Sequence, residues 1–333
     1  MSRRVHSFAL SASLMVIAAA WGLTGCGGGG GGGEGSAGAT PAASTPSSGA
    51  GGGGGSAVGT SNQPPGVSVS TGDDAVAFLP VHFSTATTLD AGVTITASNF
   101  NYGDGQTGTS PTHTYDKPGA YTVIYTVTDS KARQGQGKTQ VTVKACSMPA
   151  MAAATVSADT IHVCVQTNKG EMVFALDSAK APISTSNFMR YVNDGYYNST
   201  VVHRVQNASP DFWVVQAGQV GVNTDGYFIK TPVNKYDPIE LESNNGLLNK
   251  RYTLGMARTS VPKSATSQFY INLMDTPVFD YAPGLRDGYA VFGKIVYGTA
   301  VADAMGAAST VNAGGGFAYF PQQELKILGM AAK

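Results

Sequence analysis

Residues 27 to 63 are a tract of Gly, Ser, Ala, Thr and Pro with almost no bulky apolar side chains, and it separates what can fold from what cannot. A segment of this composition buries too little surface to offset the entropy of ordering it, so it reads as a flexible tether. Any core must be built from residues 64 to 333, a length that suits two domains. There the apolar runs are short and interrupted, as strands are, rather than long and periodic, as helices are. Lys and Arg number 21 against 21 Asp and Glu, with no basic stripe, which argues against a nucleic-acid partner. No HExxH, CxxC or clustered His/Cys set marks a metal site, so no metal is expected.

From 64 to 145 the pattern is all-β. Tyr121 to Val127 alternates aromatic or branched residues with threonines at period two, and Thr139 to Val143 does so again after a Gly-rich turn. Asp104, His113 and Asp129 read as turn and strand residues rather than as a catalytic set, because Asp side chains commonly bond local backbone in turns. Residues 146 to 160 read as a linker. Cys146 and Cys164 flank that junction, and a disulfide between them would contribute about 3 kcal/mol in the chain-entropy account.

In residues 161 to 333, Ile161–Gln166 and Glu171–Leu176 are strands joined by a hairpin-like turn. A helix follows, with Ser184 or Thr185 as its cap, Phe188, Tyr191 and Val192 on one face, and Gly195 as its stop. Strand-length runs recur at Val201–Val205, Phe212–Val215, Tyr252–Ala257, Gln268–Leu273, Tyr289–Ile295 and Glu324–Leu328, with a second short helix around Thr299–Met305. Many short strands with two helices suggest a closed antiparallel barrel capped by helices.

The N-terminus has an export pattern. Arg3 and Arg4 precede an apolar run from Phe8 to Leu23, too short for a comfortable bilayer crossing, so residues 1 to 25 read as a signal peptide. Leu23-Thr24-Gly25-Cys26 resembles the lipobox of bacterial lipoproteins, which implies lipidation of Cys26. Gly27 after the cysteine, rather than Asp, implies placement in the outer membrane facing the periplasm.

Two family resemblances follow from ordered motifs. Asn101-Tyr-Gly-Asp-Gly105, His113-Thr-Tyr115, Lys117-Pro-Gly-Ala-Tyr121 and Val127-Thr-Asp129 resemble the PKD domain, an immunoglobulin-like β-sandwich, with Phe100-Asn-Tyr102 where Trp-Asp-Phe is usual. Asn187-Phe188, Gly195-Tyr-Tyr197, His203-Arg204-Val205, Gln216-Ala-Gly218, Met256-Ala-Arg258, Ser264 to Asn272 and Gly288 to Lys294 are, in order, similar to the cyclophilin peptidyl-prolyl isomerases, most of all the bacterial periplasmic branch. That resemblance implies an eight-stranded barrel with two helices, proline-containing peptides as substrates, and no cofactor.

It also implies roles for residues. Arg204 matches the catalytic arginine, Gln216 the glutamine that braces it, and Gln268 a second polar contact. Ala257 and Arg258 match the pair lining the substrate backbone, and Trp213, Val214, Tyr270, Phe279 and Tyr289 the proline pocket. His203 reads as a structural partner, since rotation about an amide transfers no proton. The segment from Val205 to Val215 is a few residues longer than the family's usual loop, which leaves Phe212 as a competing pocket ring beside Trp213. Tyr270 stands where Phe is usual, so its hydroxyl needs a partner. Two alternatives stay open at this point: a catalytically weak cyclophilin acting as a peptide-binding chaperone, and an adhesion-type lipoprotein that works through the PKD-like domain.

Overall fold

The structure, a computed structural model, describes residues 62–154, 160–207, 209–230 and 236–333. The signal segment, Cys26 and nearly all of the tether lie outside them. The described chain is mainly β.

Residues 66 to 143 form β1 (Gly66–Ser70), β2 (Pro80–His82), β3 (Ser84–Thr88), β4 (Ile95–Asn101), β5 (Thr107–Gly108), β6 (Thr112–Thr114), β7 (Gly119–Asp129) and β8 (Gln134–Val143). One sheet runs in the order β5-β4-β7-β8, and β1–β3 and β2–β6 pair as separate ribbons. The period-two pattern of β7 puts Val123, Tyr125 and Val127 inward, where they join Phe83, Phe100 and Tyr115 in the core. His113 Nε2 lies 2.7 Å from Asp104 Oδ2, and Asp129 accepts from the backbone N–H groups of Lys131 and Arg133. Asp129 is thus engaged within its own turn, and the Asp104–His113 contact ties the β4–β5 turn to β6.

The junction is partly ordered by a helix. α1 (Met148–Ala153) occupies what the sequence marks as linker, because Ser147 caps it by accepting from the Ala150 N–H. The Ser147 N–H in turn donates to Glu171 Oε1 at 2.9 Å. Cys146 and Cys164 are joined as a disulfide, with Cα atoms 5.4 Å apart.

Beyond it lie β9 (Thr160–Thr167), β10 (Gly170–Asp177), α2 (Pro182–Asn193), β11 (Thr200–Val201), β12 (Arg204–Gln206), β13 (Val214–Ala217), β14 (Val220–Asn223) and β15 (Gly226–Ile229). Then come β16 (Thr253–Met256), β17 (Phe269–Asn272), β18 (Val291–Tyr297), α3 (Thr299–Gly306), β19 (Thr310–Val311), β20 (Phe320–Pro321) and β21 (Lys326–Ala332). One antiparallel ladder runs β12-β13-β17-β16-β18-β10-β9-β21-β11-β14-β15. It holds eleven strands rather than eight. Val202 and His203 split one expected strand into β11 and β12, and β14–β15 is an added hairpin.

Helix α2 packs on β10, β18 and β21, and α3 on β10, β12 and β13. Phe174, Phe188, Tyr197, Phe269 and Phe292 meet at the centre, where each buried ring contributes roughly 1.5–3 kcal/mol. The start of α2 differs from expectation. Pro182 opens the helix, and the carboxylate of Glu242 rather than Ser184 or Thr185 takes the free N–H groups of Ile183 and Ser184. At the other end Gly195 takes a left-handed φ of 66° and closes the helix as expected.

The last strand serves two cores. Ala331 and Leu328 of β21 pack into the cluster of Phe83, Phe100 and Tyr115, and Phe78 lays its ring over Gly329, where any Cβ would overlap it.

Candidate active site

Alternation along three neighbouring strands builds the site. Val205, Val215, Ala217, Phe269 and Ile271 point into the core. Their neighbours Arg204, Gln206, Val214, Gln216, Tyr270 and Asn272 therefore share the opposite face. The register sets Arg204 opposite Gln216, and Gln216 opposite Tyr270. Gln268 lies one residue before β17.

A polar chain runs across that face. Arg204 Nη1 donates to Gln216 Oε1 at 3.2 Å, and Gln216 Nε2 donates to Gln268 Oε1 at 2.9 Å. Gln206 adds a second brace: its Oε1 accepts from Arg204 Nε at 3.0 Å and also from Nη2. Two neutral amides thus fix the guanidinium plane without neutralising its charge. Burial presses the Arg204 pKa below its ordinary value, yet an arginine stays cationic. Gln206 was missed at the sequence level. Its signal was available, because it stands two residues after Arg204 on the same strand face.

Beside the polar chain is an aromatic platform. Phe279 lies 5.7 Å from Tyr270 and 4.9 Å from Tyr289, with Tyr270 and Tyr289 6.1 Å apart. Phe212 joins Phe279 at 5.2 Å. The Tyr289 N–H donates to the Phe279 carbonyl at 2.8 Å, which ties the two walls together. Arg258 covers the Tyr289 ring at 4.6 Å and bonds the Gly288 carbonyl through Nε and Nη2. The Ala257 N–H donates to the Gln268 carbonyl at 3.0 Å. Val214 is buried on the same face, opposite Gln206.

Trp213 is not part of that group. Its Nε1–H donates to the Gly306 carbonyl at 3.2 Å, so the indole lies on the end of α3. Strand β13 begins at Val214, and the extended loop before it directs the two adjacent rings apart. Phe212 turns toward Phe279. Tyr270 buries its hydroxyl by donating to Asn249 Oδ1 at 2.7 Å, and burial raises its pKa well above the usual phenol value.

His203 is 4% exposed, and burial pushes its pKa down to about 4, with the Arg204 charge acting in the same direction and a bond to Gln268 opposing it. The imidazole is therefore neutral near pH 7.

Residues 162–332 match the family described as cyclophilin type peptidyl-prolyl cis-trans isomerase/CLD, and residues 62–144 match the PKD domain. Peptidyl-prolyl cis-trans isomerase A of Dickeya dadantii is 44% identical over 52% of this chain and 85% of its own length. A peptidyl-prolyl cis-trans isomerase of Acinetobacter baylyi is 39% identical over 51% of this chain and 84% of its own. Isomerase B of Escherichia coli is 37% identical over 46% of this chain and 88% of its own. The chain belongs to the cyclophilin-type peptidyl-prolyl cis–trans isomerases. It is an enzyme of that class that also carries a PKD domain.

Proposed function

We propose that the site accelerates X–Pro rotation in exported polypeptides, with Arg204 stabilising the twisted amide. Rotation breaks amide resonance against a barrier of roughly 20 kcal/mol. The twisted nitrogen becomes pyramidal and gains a lone pair that the planar ground state lacks. A fixed cationic donor aimed at that lone pair binds the transition state better than the substrate, as catalysis requires. The proline ring rests on the platform of Phe212, Tyr270, Phe279 and Tyr289, and Gln216 and Gln268 hold the flanking backbone. Ala257 and Arg258 line the remaining edge.

One observation carries this reading: the Arg204 fork is held by two neutral amides directly beside an aromatic cluster. The test is peptide isomerisation by the full chain, wild type beside Arg204→Ala. A loss of at least about tenfold in kcat/KM, or about 1.4 kcal/mol, is expected. Equal rates would overturn the arginine assignment.

The exported setting rests on the sequence of residues 1 to 26, with Cys26 lipidated and the chain anchored in the outer membrane facing the periplasm. Metabolic labelling with a fatty acid, retained in wild type and lost in Cys26→Ala, checks it.

A further inference from the structure

The isomerase barrel has a dry outer face. Along β9, Val163 and Val165 point into the barrel core, so His162, Cys164 and Gln166 stand on the side that a lone barrel would show to water. They are only 6%, 1% and 3% exposed. The register carries that face over three strands, because Cys164 lies opposite Val173 of β10 on one side and Ala331 of β21 on the other. Both of those neighbours are buried as well.

The cover comes from the chain that precedes the barrel. Ala150 and Ala154 of the junction pack on Cys164 and Val173. The Nζ of Lys333, just past β21, donates to the carbonyls of Met151 and Ala154, each at 3.1 Å. Over β21 the cover is the PKD domain. A β-bulge after Ile327 sets Leu328 and Gly329 against Gln166 and rephases the strand. Ile327 and Met330 then pack into the barrel core, while Leu328 and Ala331 pack into the core of the PKD domain.

Phe78 locks this contact from the PKD side. Its φ of 68° lies in the left-handed region that bulky residues seldom occupy. The backbone is held there because the Phe78 N–H donates to the Tyr115 carbonyl at 2.8 Å and the Ala77 N–H to the Lys144 carbonyl at 2.9 Å. Its ring then fills the space that a side chain at position 329 would need, since a Cβ on Gly329 would lie 2.3 Å from the ring.

We propose that the PKD domain is a structural part of the isomerase, clamping β21 from outside so that the two domains unfold as one cooperative unit. Domains in one chain move independently by default, unless an apolar, continuous interface joins them. The row of Val173, Cys164 and Ala331, together with Phe78 against Gly329, makes such an interface. The support extends toward the site: β21 pairs with β11, and the next residue, Val202, donates its N–H to the Leu325 carbonyl at 2.9 Å. Arg204 follows two residues later. The coupling does not depend on the role given to Arg204.

Urea unfolding of the full chain tests it with one probe in each domain. Fluorescence of Trp213 follows the barrel, the other tryptophan being Trp21 in the signal segment. Hydrogen exchange in β7 and β8 follows the PKD domain. The two midpoints should coincide in the wild type. Val127→Ala, in the PKD core, should lower both by the same amount, about 0.5 M. Gly329→Val forces a side chain against Phe78 and should move the two midpoints apart. Separate midpoints in the wild type, or a Trp213 midpoint untouched by Val127→Ala, overturn the proposal. Coincident midpoints in folded Gly329→Val overturn β21 as the coupling strand. If Gly329→Val does not fold, Val127→Ala decides.

Discussion

The Tyr270 hydroxyl donates to Asn249 Oδ1 at 2.7 Å, and that bond holds the ring flat over the bare Cα of Gly255. Asn249 is fixed in turn, because its backbone N–H donates to Asp280 Oδ1 at 2.7 Å and its Nδ2 to the same oxygen at 3.0 Å. Phe279 and Tyr289 both rest against this ring. The floor of the aromatic platform is therefore set by a residue outside it.

That arrangement separates two substitutions. Gly255→Ala would drive a Cβ into the Tyr270 ring, an overpacking that costs about 1–3 kcal/mol and displaces the pocket floor. Its KM for a proline peptide should rise severalfold. Tyr270→Phe leaves Asn249 Oδ1 with the Asn272 amide as donor, so the loss is about 1 kcal/mol with activity largely kept. Urea midpoints and initial rates for both variants check the contrast, which fails if Tyr270→Phe is the more damaging change.

On the loop before β13 the ring that packs against Phe279 is Phe212, while Trp213 turns to the Gly306 carbonyl. Phe212→Ala removes the contact with Phe279 and should raise KM with little change in stability. Trp213→Phe forfeits the bond to the Gly306 carbonyl, costs about 1 kcal/mol of stability, and should leave KM within about twofold. The reverse pattern would return Trp213 to the pocket.

Much of this was legible in the sequence, and the failures have local causes. The alternation through Val205, Val215 and Ile271 shows which side of each strand is core, and so places Arg204 and Gln216 on the other. The resemblance supplies the roles but not Gln206, which no motif names. Phe212 and Trp213 are adjacent, and only the starting point of β13 decides which ring faces the pocket. Glu242 caps α2 from 59 residues away from Ile183, beyond any local rule. Strands β14 and β15 read Val-Gly-Val-Asn and Gly-Tyr-Phe-Ile, too short and irregular to signal a hairpin. Helix α1 is six residues long, and its order depends on Ser147 meeting Glu171.

The disulfide should matter to stability rather than to rate. Cys146 and Cys164 are 18 apart in sequence, and closing such a loop contributes about 3 kcal/mol in the chain-entropy account. Reductant or the double variant Cys146→Ala/Cys164→Ala should lower the urea midpoint accordingly, with kcat/KM at low urea unchanged. An unshifted midpoint would show that the buried cluster with Ala150, Ala154 and Val173 holds the junction without the bond.

His203 makes stability depend on pH with a definite sign. Its pKa falls from the ordinary 6.5 to about 4 on folding, mainly through burial. Between those values the unfolded chain binds the proton and the folded one does not, so acid favours unfolding. Stability is complete above about 6.5 and is lost as the pH falls toward 4, a difference worth about 3 kcal/mol in total. Between about pH 7 and about pH 4.5 the wild type should lose roughly 2–3 kcal/mol more than His203→Phe, whose ring does not titrate. Carboxylates titrate in both proteins and cancel in that difference. Urea unfolding of the two proteins at each pH reads it directly, and equal losses would show that the imidazole is protonated, or reached by water, in the folded enzyme.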